Sequence, residues 1–213
     1  MSPVTHFFAG WLLAAATPLR RREKAVVVAA GVAPDLDGLG IIPELLTRNS
    51  SHPLLWFSEY HHSLHTLAFA LAVSLAVWAL SARSYSAGGP GAQDRDLQSR
   101  PWITAMLAFL SFHLHLLCDL AGSRGPDGYN WPIPYLKPFS NSLQLTWHCQ
   151  WALNGWQNIV ITLILLLMTL WIAVRHASSP LELISERETT RLVAVLRARI
   201  FPGNERLSED TRE

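Results

Sequence analysis

The apolar positions of this chain fall into long runs that short polar stretches separate. Four runs stand out, at residues 4–19, 64–80, 102–120 and 156–174, and the last approaches the roughly 20 residues that cross a bilayer. A fifth run, residues 25–42, is interrupted by Pro34, Asp35 and Asp37, which predicts a broken or half-buried helix. Because no stretch alternates with the period of a strand, we predict an all-α, integral-membrane helical bundle of about five membrane segments.

The residues that follow the last run have a different pattern. Ser179 is a plausible helix cap, Pro180 suits the first helical position and Glu182 suits the capping-box position. The apolar residues of this segment share roughly one face, which predicts an amphipathic helix lying on a membrane or on another helix: Leu181, Ile184, Leu192, Val195 and Leu196. We therefore divide the chain into a membrane-embedded domain, residues 1–176, and a cytoplasmic amphipathic helix with a disordered tail, residues 177–213.

Composition agrees with a lipid environment, because 50% of the residues are apolar and only 15% are charged. The formal net charge of +1 gives no electrostatic reason to expect a nucleic-acid partner. Neither a Walker loop nor a dinucleotide-binding glycine motif is present in the sequence. Two cysteines, Cys118 and Cys149, are too few to staple a fold.

Basic residues indicate an orientation for the bundle. No basic residue precedes the first apolar run, and the cluster at residues 20–24 follows it, so we interpret the run as a retained helix rather than a secretory signal. Five crossings with the N-terminus outside place this cluster, the linker at residues 81–100 and the arginines after residue 174 on the cytoplasmic side. We expect a multi-pass protein of the bacterial inner (plasma) membrane.

The same topology gathers polar residues from distant parts of the chain at the outer, periplasmic end of the bundle. They are His6, Asp35, Asp37, His61, His62, His65, His113, His115, Asp119 and His148. Imidazole and carboxylate together favour zinc, with manganese or iron as alternatives. A bound cation would also explain why acidic residues occur in apolar surroundings.

Helical spacing narrows the choice of ligands. His115 and Asp119 are four residues apart and project from one face, whereas His113 points elsewhere. In "YHHSLH", residues 60–65, His61 pairs with His65 at a spacing of four, or His62 with His65 at three. On a helix His61 and His62 diverge by about 100°, so at most two of the three histidines easily share one ion.

The ordered set of motifs resembles a bacterial family, the YdjM-like, LexA-regulated inner-membrane proteins described as predicted membrane-bound metal-dependent hydrolases. The resemblance covers residues 2 to about 174 and is carried by "THFFAGWLLA", "PDLD", "YHHSLH", "HLHLLCDL" and "GSRGPDGYNWPIPYLKPFS". Members commonly carry two histidines spaced by five, and this chain departs from that pattern with "HHSLH". The departure leaves open which histidine is the ligand; we favour His61 and His65, with His62 as second choice.

The family in turn looks distantly similar to zinc phospholipase C and S1/P1 nuclease, which implies metal-dependent hydrolysis of a phosphoester or a phospholipid-like membrane lipid. The ligands that we expect are His6, Asp35, Asp37, His61, His65, His115 and Asp119. Asp37 and His65 are the candidates for a catalytic role, and Arg124 and Lys137 are candidates for binding the substrate. Two alternatives remain: a proton or metal-ion transporter, and a structural membrane protein whose buried polar cluster holds its helices together.

Overall fold

The protein is all-helical in the computed structural model, which describes residues 1–60, 62–86, 100–125 and 128–200. Within those ranges no strand forms, and isolated bridges join Arg124 to Ala152 and Ile133 to Leu145. The helices, in chain order, are α1 (Pro3–Ala15), α2 (Arg21–Val32), a 3-10 segment (Ala33–Gly40), α3 (Ile41–Thr47), α4 (Trp56–Tyr60), α5 (Leu67–Ser86), α6 (Pro101–Gly122), α7 (Trp156–His176), a short 3-10 turn (Pro180–Leu183) and α8 (Glu186–Ile200).

Helix α6 is the centre of the bundle and packs against α1, α2 and α5. Its buried residues recur every three or four positions, as expected for a helix that contacts neighbours along one side. They are Thr104, Leu107, Ala108, Ser111, Phe112, His115, Leu116, Asp119 and Gly122. The stripe changes from mainly apolar to mainly polar toward the C-terminal end, so α6 supplies both a hydrophobic core and a polar cluster.

Apolar clusters between α6 and its neighbours hold these helices together. In the first, Trp11 of α1 and Val27 of α2 are fully buried and pack with Leu107. In the second, Phe112 is fully buried beside Ala70 of α5 and Ile133 of the loop before α7. The second cluster fixes the loop before α7 against α5 and α6, next to the polar end of the α6 stripe.

Among the residues that the structure describes, three helical stretches are long and apolar enough to cross a membrane: Arg21–Thr47, Pro101–Gly122 and Trp156–His176. Two other apolar helices, Pro3–Ala15 and Leu67–Arg83, are shorter. At 1.5 Å per residue, the helix Pro3–Ala15 is only about 20 Å long, whereas the hydrocarbon core of a bilayer is about 30 Å thick. The count of five crossings therefore stays a prediction.

The interrupted second segment is confirmed as a broken helix. Helix α2 ends at Val32, and the chain continues as the 3-10 segment Ala33–Gly40 before α3 begins. Proline lacks an amide hydrogen and clashes with the preceding turn, which explains why the α-helical pattern ends just before Pro34. The break places Asp35 and Asp37 on the 3-10 segment.

The predicted C-terminal helix is divided, because Ser179 caps the short 3-10 turn and α8 begins only at Glu186. Its buried side chains are Thr189 and Val193, whereas Val195 of the predicted apolar face is 59% exposed. Leu192 and Leu196 of that face are half-buried, and the placement of the face on a membrane or on another helix stays a prediction. This segment packs on the start of α2: Lys24 Nζ donates to Glu182 at 2.8 Å, so the two basic regions lie at one end of the bundle.

Candidate metal centre

Asp119 is the point at which the polar cluster converges. It lies in the last turn of α6 with only 4% of its surface exposed. Its Oδ2 is 3.0 Å from His115 Nε2 and 3.3 Å from His65 Nε2, and its Oδ1 is 3.2 Å from His6 Nε2. Oδ1 also accepts from Ser123 Oγ at 2.8 Å and from the amino group of Met1. One carboxylate thus meets imidazoles from three separate parts of the chain.

His115 is held so that one defined nitrogen faces this carboxylate. Its Nδ1 donates to the carbonyl oxygen of Gly31 at 2.9 Å, which in the neutral ring leaves Nε2 unprotonated and able to bind a metal. A histidine ligand normally has its second nitrogen fixed by such a hydrogen bond. The predicted spacing of four between His115 and Asp119 therefore brings both side chains to one site, as expected for a helix.

His6 and Asp35 complete the side of the cluster formed by α1 and the 3-10 segment. The His6 ring stacks on His115 with centroids 3.7 Å apart, and Asp35 Oδ1 is 3.8 Å from His115 Nε2. Within the described part of the chain, both ring nitrogens of His6 and Asp35 Oδ2 are buried without a hydrogen-bond partner. His6 Nε2 lies 3.2 Å from Asp119 Oδ1 without the geometry of a hydrogen bond, so the His6 and Asp35 atoms are donors that could bind a cation.

His65 connects the cluster to Asp37. Its Nε2 faces Asp119, while its Nδ1 is 3.3 Å from Asp37 Oδ2, which also accepts from the amide of Leu64 at 3.1 Å. Burial favours the neutral ring, but hydrogen bonds with Asp119 and Asp37 outweigh it and raise the pKa of His65 to about 9. Asp37 thus lies on the far side of the ring from Asp119, where a carboxylate orients a histidine ligand.

The histidine motif does not form the helical stripe that we predicted. Helix α4 ends at Tyr60, α5 begins at Leu67, and residues 62–64 form a turn in which His62 has φ 77°. The 100° argument therefore does not apply, and the turn places the His62 ring 4.5 Å from the His65 ring. His62 is buried as well, with 7% of its surface exposed. His61, the favoured partner of His65, lies outside the described residues.

The separations fit shared coordination of a cation. A tetrahedral ion with ligand atoms at about 2.0–2.2 Å holds those atoms about 3.3–3.6 Å from one another. Nε2 of His115 and Nε2 of His65 lie 3.0 and 3.3 Å from Asp119 Oδ2, and Nε2 of His6 lies 3.2 Å from Asp119 Oδ1. Two overlapping sets of described residues could hold an ion, with Asp119 common to both: His6, Asp35, His115 and Asp119, and His62, His65 and Asp119.

Three polar residues that the sequence did not single out anchor this end of α6. Ser123 donates to the Asp119 carboxylate, and Gln150 donates to the Asp119 carbonyl oxygen at 2.9 Å. Asn158, at the start of α7, donates to the Gly122 carbonyl oxygen at 2.8 Å. A polar asparagine inside the otherwise apolar run at 156–174 was the available signal. Ser123 and Gln150 had none, because their importance depends on a long-range contact.

The remaining predicted residues are less closely gathered. His113 contacts the carbonyl oxygen of Phe109 and the hydroxyl of Tyr135, each at 2.8 Å, so it points away from Asp119 as expected. His148 is exposed. Lys137 lines a cavity that His62 also lines, and Arg124 is half-buried in the same loop, where its amide donates to Trp151. Desolvation raises the pKa of Tyr135.

Comparison with known proteins gives one match. A family model described as YdjM inner membrane protein covers residues 1–189. No curated protein and no solved structure matches the chain. The matched region contains all the described residues of the His and Asp cluster as well as the candidate spans.

Proposed function

The chain belongs to the family of YdjM inner membrane proteins, and from this membership and its buried His and Asp cluster we propose that it is a membrane-bound, metal-dependent hydrolase of phosphoesters. The observation that carries the proposal is Asp119, a buried carboxylate within 3.3 Å of an imidazole nitrogen from each of three histidines.

The two overlapping ligand sets support one or two cations, with zinc favoured by the donor types. His6, Asp35 and His115 would hold the first cation with Asp119, and His62 and His65 a second one. His61 and Asp37 stay in the proposed set, the latter through its contact with His65. When bound, such cations lower the pKa of a water molecule, polarise a phosphoryl oxygen and stabilise the leaving group.

The chain itself supplies a pathway for the proton. When His65 is not coordinated, its ring is protonated, so its Nε2 can donate a proton to the leaving ester oxygen while Asp37 stabilises the charged ring from the Nδ1 side. The water oxygen bonds to phosphorus as the ester oxygen leaves, and the proton that the water loses then returns the ring to its charged form. Lys137 and Arg124 are the proposed contacts for the anionic substrate.

The proposed topology has five crossings with the N-terminus and the cluster outside. It is supported by the position of the basic residues, because Lys24 pairs with Glu182 at the end of α2 that lies opposite Asp35. Arg21 donates to the Ile184 carbonyl oxygen at the same end. The site would thus face the periplasmic side of the inner membrane, where lipid and phosphoester substrates are both accessible.

The test is metal analysis combined with hydrolysis. Protein purified in detergent should contain one or two divalent ions per chain and cleave bis(p-nitrophenyl) phosphate, and chelation should abolish both until zinc or manganese is returned. Protein that carries stoichiometric metal but cleaves none of a panel of phosphomonoesters, phosphodiesters and phospholipids would contradict the proposed activity. Full activity after complete metal removal would contradict the proposed mechanism.

One observation favours a transporter as the second candidate. The candidate span Arg21–Thr47 contains a non-α-helical break with two acidic residues, and broken helices of this kind form ion sites in many transporters. Zinc or proton flux into liposomes that contain the protein, without hydrolysis, would select that function. A protein with neither metal nor flux would be a structural one.

A further inference from the structure

Two cavities adjoin the metal centre and share a wall. The centre cavity, of about 340 Å³, has a polar floor that includes Asp35, Asp119 and Ser123. The loop cavity, of about 420 Å³, is lined by Lys137, Gln144 and other residues of the outer loop. Both cavities are lined by Phe57, His62 and Trp131.

The shared wall is built from ring contacts. The Trp131 ring lies 5.1 Å from the His62 ring and 6.4 Å from the Phe57 ring, edge to face in both cases. Because His62 belongs to one of the two ligand sets, this wall passes directly beside the proposed cations. A phosphorus atom at the cations would therefore have one substituent on each side of the wall.

The two sides differ in chemistry. Apart from its polar floor, the centre cavity is bordered by Pro3, Leu39 and Leu153, and Leu39 belongs to the candidate membrane span Arg21–Thr47. The loop cavity instead offers an ammonium group, a carboxamide and the Tyr129 ring, outside the helices. An alkyl chain removes apolar area from water on the first side, and an anionic head group finds a cation on the second.

We propose that the substrate is an amphiphile: a phosphoester whose alkyl chain lies against Leu39 and Leu153 and whose head carries a second anionic group that binds Lys137. This inference deepens the proposed function and rests on it. Small soluble phosphoesters would leave the apolar border of the centre cavity unfilled, so they are expected to bind more weakly. Leu39 would connect the bound chain with the hydrocarbon of the bilayer.

Binding of phosphonates tests this without requiring hydrolysis, because their carbon–phosphorus bond is not a phosphoester. Zinc-loaded protein in phosphatidylcholine nanodiscs would be titrated calorimetrically with methylphosphonate, hexadecylphosphonate and a hexadecyl compound bearing a second phosphonate group. Empty nanodiscs correct for partitioning into lipid. We expect the hexadecyl chain to tighten binding at least tenfold and the second phosphonate to tighten it at least a further fivefold.

Variants assign these gains to the two cavities. Leu153→Trp narrows the centre cavity and should remove most of the affinity that the hexadecyl chain adds. Leu39→Trp replaces this variant if Leu153→Trp does not fold. Lys137→Gln should remove the gain from the second phosphonate while keeping that from the chain. The matched control is Leu167→Trp on α7, where the leucine is 64% exposed among apolar neighbours of a candidate span and the gains should persist.

The outcomes separate the two proposals. The amphiphile inference would be overturned if the protein bound methylphosphonate and hexadecylphosphonate with equal affinity. It would also be overturned if the Leu153→Trp and Leu167→Trp variants kept the effect of the hexadecyl chain equally. Either result would stand even if the protein cleaved soluble phosphoesters. Chain-dependent binding without cleavage of any phosphoester would instead leave the amphiphile site and refute the hydrolase.

Discussion

Replacing Asp119 with asparagine is the most direct test of the metal centre. Asparagine keeps the size of the side chain but removes the anionic charge that three imidazoles face at 3.0–3.3 Å. Because Asp119 belongs to both ligand sets, the substitution should weaken the binding of every cation that the described residues could hold. We expect loss of metal and activity with retention of the membrane-inserted fold.

The size of the effect follows from the ligand count. Four-ligand zinc sites have apparent binding free energies of about 10–16 kcal/mol, so an equal share is about 3 kcal/mol per ligand. That corresponds to a dissociation constant raised by about two orders of magnitude. A second cost falls on the metal-free protein, because the protonated His65 would lose its contact with the Asp119 carboxylate and keep the one with Asp37.

The assay is metal content per protein after dialysis against chelator-buffered zinc, with circular dichroism as the check of folding. Glu188→Gln is the matched control, since this carboxylate is 48% exposed on α8 and pairs only with Arg191 among the contacts described for it. If the Asp119 variant does not fold, Asp35→Asn offers the same test at a side chain that is 18% exposed. A folded Asp119→Asn protein with the zinc affinity of the wild type would refute the ligand assignment.

Four further outcomes are expected. The His65→Ala variant should bind zinc at least tenfold more weakly than the wild type. The His62→Ala variant should also bind zinc more weakly, because the turn brings the two rings together. Equal zinc content in both variants and the wild type would exclude this histidine cluster as a metal site. The metal-free His65 ring is protonated below its pKa of about 9, so zinc binding at pH 7 should release a proton, and zinc affinity should rise as the pH rises toward 9. Calorimetry in buffers of different ionisation enthalpy measures this proton release. An absence of release would show that the His65 assignment is wrong. Gly122→Ala should destabilise the protein by about 1–3 kcal/mol, since the added methyl group would clash with Asn158 and Trp151, and an unchanged thermal unfolding curve would contradict this. A cysteine at position 22 should be labelled only from the cytoplasmic side, and labelling from the periplasm would reverse the proposed topology.

The sequence by itself determined the parts of this protein that depend on local pattern. Hydrophobic runs located α1, α2, α5, α6 and α7, and the proline and acids at 34–37 located the break in the second segment. Spacing alone placed His115 and Asp119 on one face of α6 and turned His113 away, because helical geometry is fixed over four residues. The family was likewise recognisable from the order of its motifs.

Tertiary structure decided what spacing within one segment cannot express. The sequence suggested a helix through residues 60–65, but the structure has a turn there, since the chain must leave α4 and enter α5 beside Asp119. This turn, rather than a helical stripe, brings His62 next to His65. The position of Asp37 behind His65 and the anchoring of α6 by Gln150 and Asn158 depend on the packing of separate segments. Such contacts join residues far apart in the chain, and their geometry is set by how α1, α2, α6 and the loop before α7 fill the same space.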